Sequence, residues 1–101
     1  MKAFVICAAL AAALAPAFAD ELVARDGDDS VRLGEAPCAS QPVLEKLEPK
    51  TRGEFKAASA VVQGQKFVAC WREMGSAAYL IYEDGDQGVI PLRELKRELA
   101  A

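Results

Sequence analysis

The chain has 101 residues, a formal net charge of −3 and no histidine. Its length fits one small domain. The excess of acidic over basic side chains argues against binding to nucleic acid or to an anionic membrane surface, because both select basic proteins. The lack of histidine removes the most common general base and the most common transition-metal ligand. The composition therefore predicts a small domain without a metal or cofactor.

Residues 1–19 have the layout of a secretory signal peptide. Lys2 is followed by an apolar run from Ala3 to Leu14 and then by the small-x-small sequence Ala17-Phe18-Ala19. The run is shorter than the roughly 20 residues that a membrane-spanning helix needs. We therefore expect cleavage after Ala19 and release of residues 20–101 as a single exported domain, without stable insertion into a membrane.

The first half of the exported domain has weak structural signals. The short start of the domain leads to a turn at Asp26–Asp29, and Ser30–Leu33 alternates apolar and polar side chains, as is typical of a half-buried strand. Ser40 is suited to cap a helix, and Val43, Leu44 and Leu47 follow helical spacing until Pro49. These signals predict a short amphipathic helix over Gln41–Glu48.

The second half alternates apolar segments with turns. Gly64-Gln65 and Gly75-Ser76 are typical of tight hairpin turns and separate three predicted strands. Two-residue loops at these positions pair Val62 with Phe67 in the first hairpin and Trp71 with Leu80 in the second. Because side chains alternate along a strand, this register places Phe67, Trp71 and Tyr82 on one face and Cys70 on the other.

The C-terminal segment predicts a short fourth strand at Val89–Ile90 and a short helix over Leu92–Leu99, in which Leu92, Leu95 and Leu99 have helical spacing. The whole pattern predicts an α+β fold. In this fold a small antiparallel β-meander of three to four strands carries a short helix, which one disulfide ties to the sheet.

Cleavage of the signal peptide removes Cys7 and leaves Cys38 and Cys70. Cysteines of exported proteins meet an oxidising environment, where disulfides persist. We expect a Cys38–Cys70 disulfide that draws the predicted helix onto the Cys70 face of the sheet. Two free buried thiols are the alternative.

The face that carries Phe67, Trp71 and Tyr82 is the best candidate for binding a protein partner. Aromatic side chains of this kind dominate the energetics of many protein interfaces. They equally suit the main core of a sheet. The sequence leaves both interpretations open.

No catalytic or metal-binding motif stands out. The acidic turns at Asp26–Asp29 and Asp84–Asp86 bring carboxylates together, as calcium sites do, but neither matches the EF-hand loop, and aspartate and glycine favour turns in any case. No spacing singles out a pair of carboxylates for glycoside hydrolysis. We expect no catalytic, cofactor-binding or metal-binding residue.

The residues Cys70-Trp71, Tyr82–Gly88 and Ile90-Pro91 resemble those of small exported proteins of unknown function encoded in bacterial prophages. The resemblance covers about the last third of the chain and implies a bacterial, periplasmic location and a phage-derived context. Together with the predicted signal peptide, it leads us to expect a periplasmic or secreted protein. In its general features, but not in a particular motif, the chain is also similar to periplasmic lysozyme inhibitors, which are small, exported, disulfide-bearing β proteins.

The expected function is that of a non-enzymatic protein-binding or inhibitory module of the cell envelope, with an envelope protein as partner. The alternatives are a small carboxylate-dependent cell-wall enzyme and a passive structural accessory protein.

Overall fold

The computed structural model of the protein describes residues 20–99. The predicted signal peptide and its cleavage site lie outside this range. Between residues 20 and 99, no helix is long and apolar enough to cross a membrane.

The fold is mostly β and consists of one curled, seven-stranded antiparallel sheet. The prediction of an α+β meander of three to four strands is therefore wrong. The strands in chain order are β1 (Asp20–Asp26), β2 (Asp29–Pro37), β3 (Lys56–Val62), β4 (Gln65–Met74), β5 (Ala77–Tyr82), β6 (Gln87–Pro91) and β7 (Lys96–Leu99). Their order across the sheet is β6-β5-β4-β3-β2-β1-β7.

The chain connection between the two edge strands shows why the sheet curls. Strands β6 and β7 are consecutive in the chain but lie at opposite edges of the sheet. Only residues 92–95 join them, so the Cα atoms of Pro91 and Lys96 are separated by at most about 18 Å. A flat seven-stranded sheet would be wider than this, because neighbouring strands lie about 4.8 Å apart. The sheet therefore forms a half-barrel.

The concave face of the half-barrel holds the larger apolar cluster. Its buried members come from four neighbouring strands, and partly buried side chains, among them those of β1, β6 and the β6–β7 connection, pack against them. The buried members are Leu33, Ala58, Ala69, Trp71, Ala78 and Leu80, and the flanking ones include Leu22 of β1 and Ile90 of β6. The alanines of β3, β4 and β5 lie among the bulky side chains, which allows the layers of a tightly curved sheet to fit together.

The segment between β2 and β3 covers part of the convex face. A disulfide joins Cys38 to Cys70, with Cα atoms 5.5 Å apart, and this confirms the predicted pair. Helix α1 (Gln41–Leu44) begins at Ser40, whose hydroxyl accepts a hydrogen bond from the Val43 N–H at 3.3 Å. Val43 and Phe55 are buried there with Cys70 and Ile81.

This helical segment is shorter than predicted. The α-helix ends at Leu44 instead of Glu48, and a 3-10 helix over Pro49–Glu54 follows. Only Val43 of the helix is buried. Leu47 follows the helix and still packs against the cluster of Val43 and Cys70, so this part of the sheet is covered without a second helical turn.

Two further corrections concern the ends of the domain. Residues 20–25, for which the sequence predicted only a short start and no strand, belong to β1, and the helix predicted over Leu92–Leu99 is a 3-10 helix (Leu92–Glu94) followed by β7. The two errors have one cause, because β1 and β7 pair with each other. The leucine spacing reflects packing of Leu92 and Leu95 against the concave cluster. Pairing between distant segments outweighs local helical spacing here.

The register of the second hairpin is as predicted, with Trp71 opposite Leu80, but that of the first hairpin is wrong by two residues. Its loop is Gln63-Gly64, and both residues have positive φ, as a type I′ turn requires. The Asp29 carboxylate accepts a hydrogen bond from the Gln63 N–H at 3.0 Å and supports this uncommon conformation. A shift of two residues preserves the alternation of faces.

Candidate functional site

Trp71 lies at the end of the concave face that is nearest to the β4–β5 turn. Its side chain is 4% exposed, and the indole N–H donates a hydrogen bond to the Gly34 carbonyl at 2.9 Å. The ammonium of Lys56 lies 5.5 Å from the centroid of the indole ring. Leu92 and Leu95 close this end, and the Leu92 N–H donates to the Ser76 carbonyl in the β4–β5 turn. We call this region, near Gly75-Ser76, the closed end.

Phe67 and Tyr82 lie at the opposite end of the same face, which we call the open end. Phe67 is 38% exposed and Tyr82 is half-buried. Together they line a pocket of about 300 Å³. The full lining consists of Ala60, Val62, Phe67, Tyr82, Asp84, Asp86 and Gln87. The predicted aromatic face is thus divided between a buried core residue and an accessible pocket.

The loop between β5 and β6 forms the acidic rim of this pocket. Tyr82 exchanges backbone hydrogen bonds with the loop, since its N–H donates to Asp86 at 2.8 Å and its carbonyl accepts from Gly85 at 2.9 Å. The Asp84 carboxylate accepts a hydrogen bond from the Asp86 N–H at 2.9 Å. The Ser40 hydroxyl donates to the Glu83 carboxylate at 2.7 Å and ties the loop to α1. These hydrogen bonds therefore fix the conformation of the acidic rim.

The electrostatics of the pocket are negative. Burial raises the pKa of the Tyr82 phenol, and the nearby Asp84 carboxylate raises it further. Within residues 20–99, neither Asp84 nor Asp86 forms a salt bridge with a basic side chain. Lys46 passes close to Gly85, but its ammonium donates a hydrogen bond to the Pro42 carbonyl at 3.3 Å. The pocket therefore combines apolar walls with unpaired carboxylates.

The ring of Tyr82 lies beside Gly88. A Cβ atom built at this glycine of β6 would lie 3.7 Å from the Tyr82 ring. The ring therefore lies against the backbone of β6, where it forms one wall of the pocket.

A second, smaller pocket of about 170 Å³ shares Val62 with the first. It extends towards β1 and contains both a basic side chain, Arg25, and acidic ones, among them Asp29 and Glu94. Its mixed charge does not indicate a particular ligand.

The predicted site did not include the acidic β5–β6 turn, although the sequence contained a signal that places this turn beside Phe67. The register that pairs Ala69 with Tyr82 would, if continued past the end of β5, place Asp84 opposite Phe67. The Glu83 N–H indeed donates to the Val68 carbonyl at 3.2 Å, so the pairing extends into the loop. The acidic turn, considered only as a calcium candidate, could have been assigned to the aromatic site on this basis.

In each of the two acidic turns, one carboxylate accepts a hydrogen bond from a backbone N–H. Asp29 and Asp84 each accept a backbone N–H, as described above. In the described part of the chain, no three or more acidic or cysteine side chains come together in an arrangement that could hold a metal ion.

Comparison of the chain with family models, with curated proteins and with solved structures found no match in any of the three. The resemblance to prophage-encoded exported proteins therefore stays a prediction.

Proposed function

We propose that the protein is a non-enzymatic binding or inhibitory module of the bacterial cell envelope and that it binds a protein partner through the open end. The observation that carries this proposal is the pocket beside Phe67. Phe67 and Tyr82 belong to the same face as Trp71, yet no element among residues 20–99 covers them as Leu92 and Leu95 cover the closed end. Aromatic side chains left accessible next to a rigid loop suit an interface.

Location outside the cytoplasm, in the periplasm or the medium, is part of the same proposal. The Cys38–Cys70 disulfide is compatible with an oxidising compartment and with the predicted signal peptide. Export would place the pocket where envelope proteins are accessible to it.

The pocket suits binding better than cell-wall hydrolysis. A volume of about 300 Å³ is at the small end for ligand sites and fits one inserted side chain rather than a strand of linked sugar rings. One oxygen of Asp84 is also occupied by the Asp86 N–H. These features support a module that holds a partner without turnover.

The test compares Phe67→Ser with Val68→Ser. Val68 is the next residue of β4 and is similarly exposed, at 41%, but its side chain lies on the convex face. Tagged protein expressed from the full chain is used to capture partners from bacterial periplasmic extract, and the captured protein is purified and titrated. We expect one stoichiometric partner whose affinity falls at least tenfold with Phe67→Ser and stays unchanged with Val68→Ser.

Circular dichroism of each variant provides the control for folding. Equal affinity of both folded variants would contradict binding at the open end. Release of fragments from purified cell wall by the wild-type protein would contradict the non-enzymatic part of the proposal.

A further inference from the structure

We propose that the open-end pocket receives a lysine or arginine side chain of the partner protein, with its aliphatic stem against Phe67 and its charged group at Asp84 and Asp86. This inference rests on the proposed function, because it specifies what the binding module recognises. It comes from the combination of apolar walls and carboxylates in one small pocket.

The walls suit an aliphatic stem. Ala60, Val62, Phe67 and Tyr82 provide apolar surface in the pocket. Lysine and arginine carry three or four methylene groups that pack on such surfaces while the charged end remains near polar groups. The aromatic faces also attract a cation placed over them.

The rim suits a positive charge. The carboxylates of Asp84 and Asp86 lack a salt-bridge partner within residues 20–99, and hydrogen bonds to backbone and side-chain groups hold their loop in place. A charged hydrogen bond from an incoming cation therefore requires little ordering of the protein. A neutral apolar group would bury these carboxylates without a partner, which is unfavourable.

The same charges exclude other ligand classes. An acidic peptide, a nucleic acid or an anionic lipid headgroup would face repulsion from the rim and from the net charge of −3. The small volume leaves no space for a folded segment of the partner inside the pocket. A single basic side chain at the centre of a broader interface satisfies both the charge and the volume of the pocket.

The test measures the preference of the pocket directly, without the partner. Isotope-labelled protein expressed from the full chain is titrated with n-pentylammonium and n-butylguanidinium, which reproduce the two side chains, and with n-pentanol and pentanoate. Backbone amide shifts report the binding site. We expect the two cations to perturb amides near Val62, Phe67 and residues 82–87 and to bind about three- to fivefold more tightly than n-pentanol.

Matched charge variants show whether the rim causes this preference. Asp84→Asn with Asp86→Asn should remove the difference between cations and n-pentanol, while Glu73→Gln at the other end of β4 should retain it. Equal binding of n-pentanol and the cations by wild-type protein, or a preference that survives in the double variant, would overturn this inference.

The two proposals fail in different ways. If the partner requires Phe67 but the pocket does not prefer cations, the proposal of a binding module stands. The proposal that the pocket receives a basic side chain is then refuted. Cation binding at the pocket combined with a partner that tolerates Phe67→Ser refutes the binding site proposed for the module.

Discussion

The two ends of the concave face carry the same kind of residues but differ in what covers them. At the closed end, Trp71 is 4% exposed beneath the chain that joins β6 to β7. At the open end, Phe67 lies on the same strand and the same face, four residues away, and is 38% exposed. The alternation of side chains along a strand therefore determines which face a residue joins. The connections between strands determine whether that part of the face becomes core or surface.

The largest expected effect tests this difference directly. Trp71→Ala should cost about 3–5 kcal/mol in the free energy of unfolding, because it creates a cavity in the cluster and leaves the Gly34 carbonyl without its donor. Phe67→Ala should cost only about 1 kcal/mol, since part of the ring is already in water. Urea unfolding followed by tryptophan-independent circular dichroism measures both. Similar losses in the two variants would show that the two ends do not differ.

The registers show how much of this difference the sequence could predict. The Gly75-Ser76 turn has one plausible two-residue loop, and the pairing of Trp71 with Leu80 followed correctly. At the first hairpin, Gln63 adopts a φ of 52°, a conformation that glycine usually provides. Because the sequence did not indicate Gln63 as a turn residue, the predicted register is wrong by two residues. The faces remained correct, because a slip of two residues preserves them.

The curvature of the sheet was outside the reach of the local pattern. The curvature depends on the pairing of β7 with β1, whose paired residues are 73 to 79 positions apart in the chain. Without that pairing, nothing distinguishes Trp71 from Phe67 in the sequence, since both are aromatic residues on one face of β4. Phe67, Trp71 and Tyr82 therefore share one face of the sheet, as predicted, while the division of that face into core and pocket was not predicted.

The second prediction concerns the segment between β2 and β3, which covers part of the convex face. It tests whether this segment, which we call the convex cover, stabilises both ends of the concave face equally. Replacing Cys38 and Cys70 by alanine should reduce the free energy of unfolding by about 3–4 kcal/mol, because the bond closes a loop with a sequence separation of 32. Wild-type protein in reductant is the matched control. The bond also anchors the segment whose Ser40 holds Glu83. Amide hydrogen exchange should therefore increase more at residues 83–87 than around Trp71. A uniform increase would show that the acidic rim does not depend on the convex cover.

The smallest expected effect concerns the edge strand β7, which pairs only with β1 and helps to position the chain that covers the closed end. On the convex face, the Arg25 guanidinium donates hydrogen bonds to both carboxylate oxygens of Glu98, at 2.6 and 3.1 Å. These bonds are the main reason why the pKa of Glu98 lies below its usual value of 4.5. Partial burial opposes this shift, and the charges of Arg25 and Arg32 add to it.

Because folding lowers this pKa, Glu98 stabilises the folded state above its usual pKa, and the contribution is lost as the pH falls through the lowered value. Glu98→Gln should therefore reduce the urea midpoint slightly at neutral pH, and this difference should disappear as the pH falls through the lowered pKa of Glu98. Added salt should weaken the difference at neutral pH because the pair is exposed to solvent. An equal offset between variant and wild type at neutral and acidic pH would show that ionisation of Glu98 contributes nothing. Backbone pairing with β1 and the apolar packing of Leu92 and Leu95 would then be the main attachments of this edge, and the closed end would be independent of surface charge.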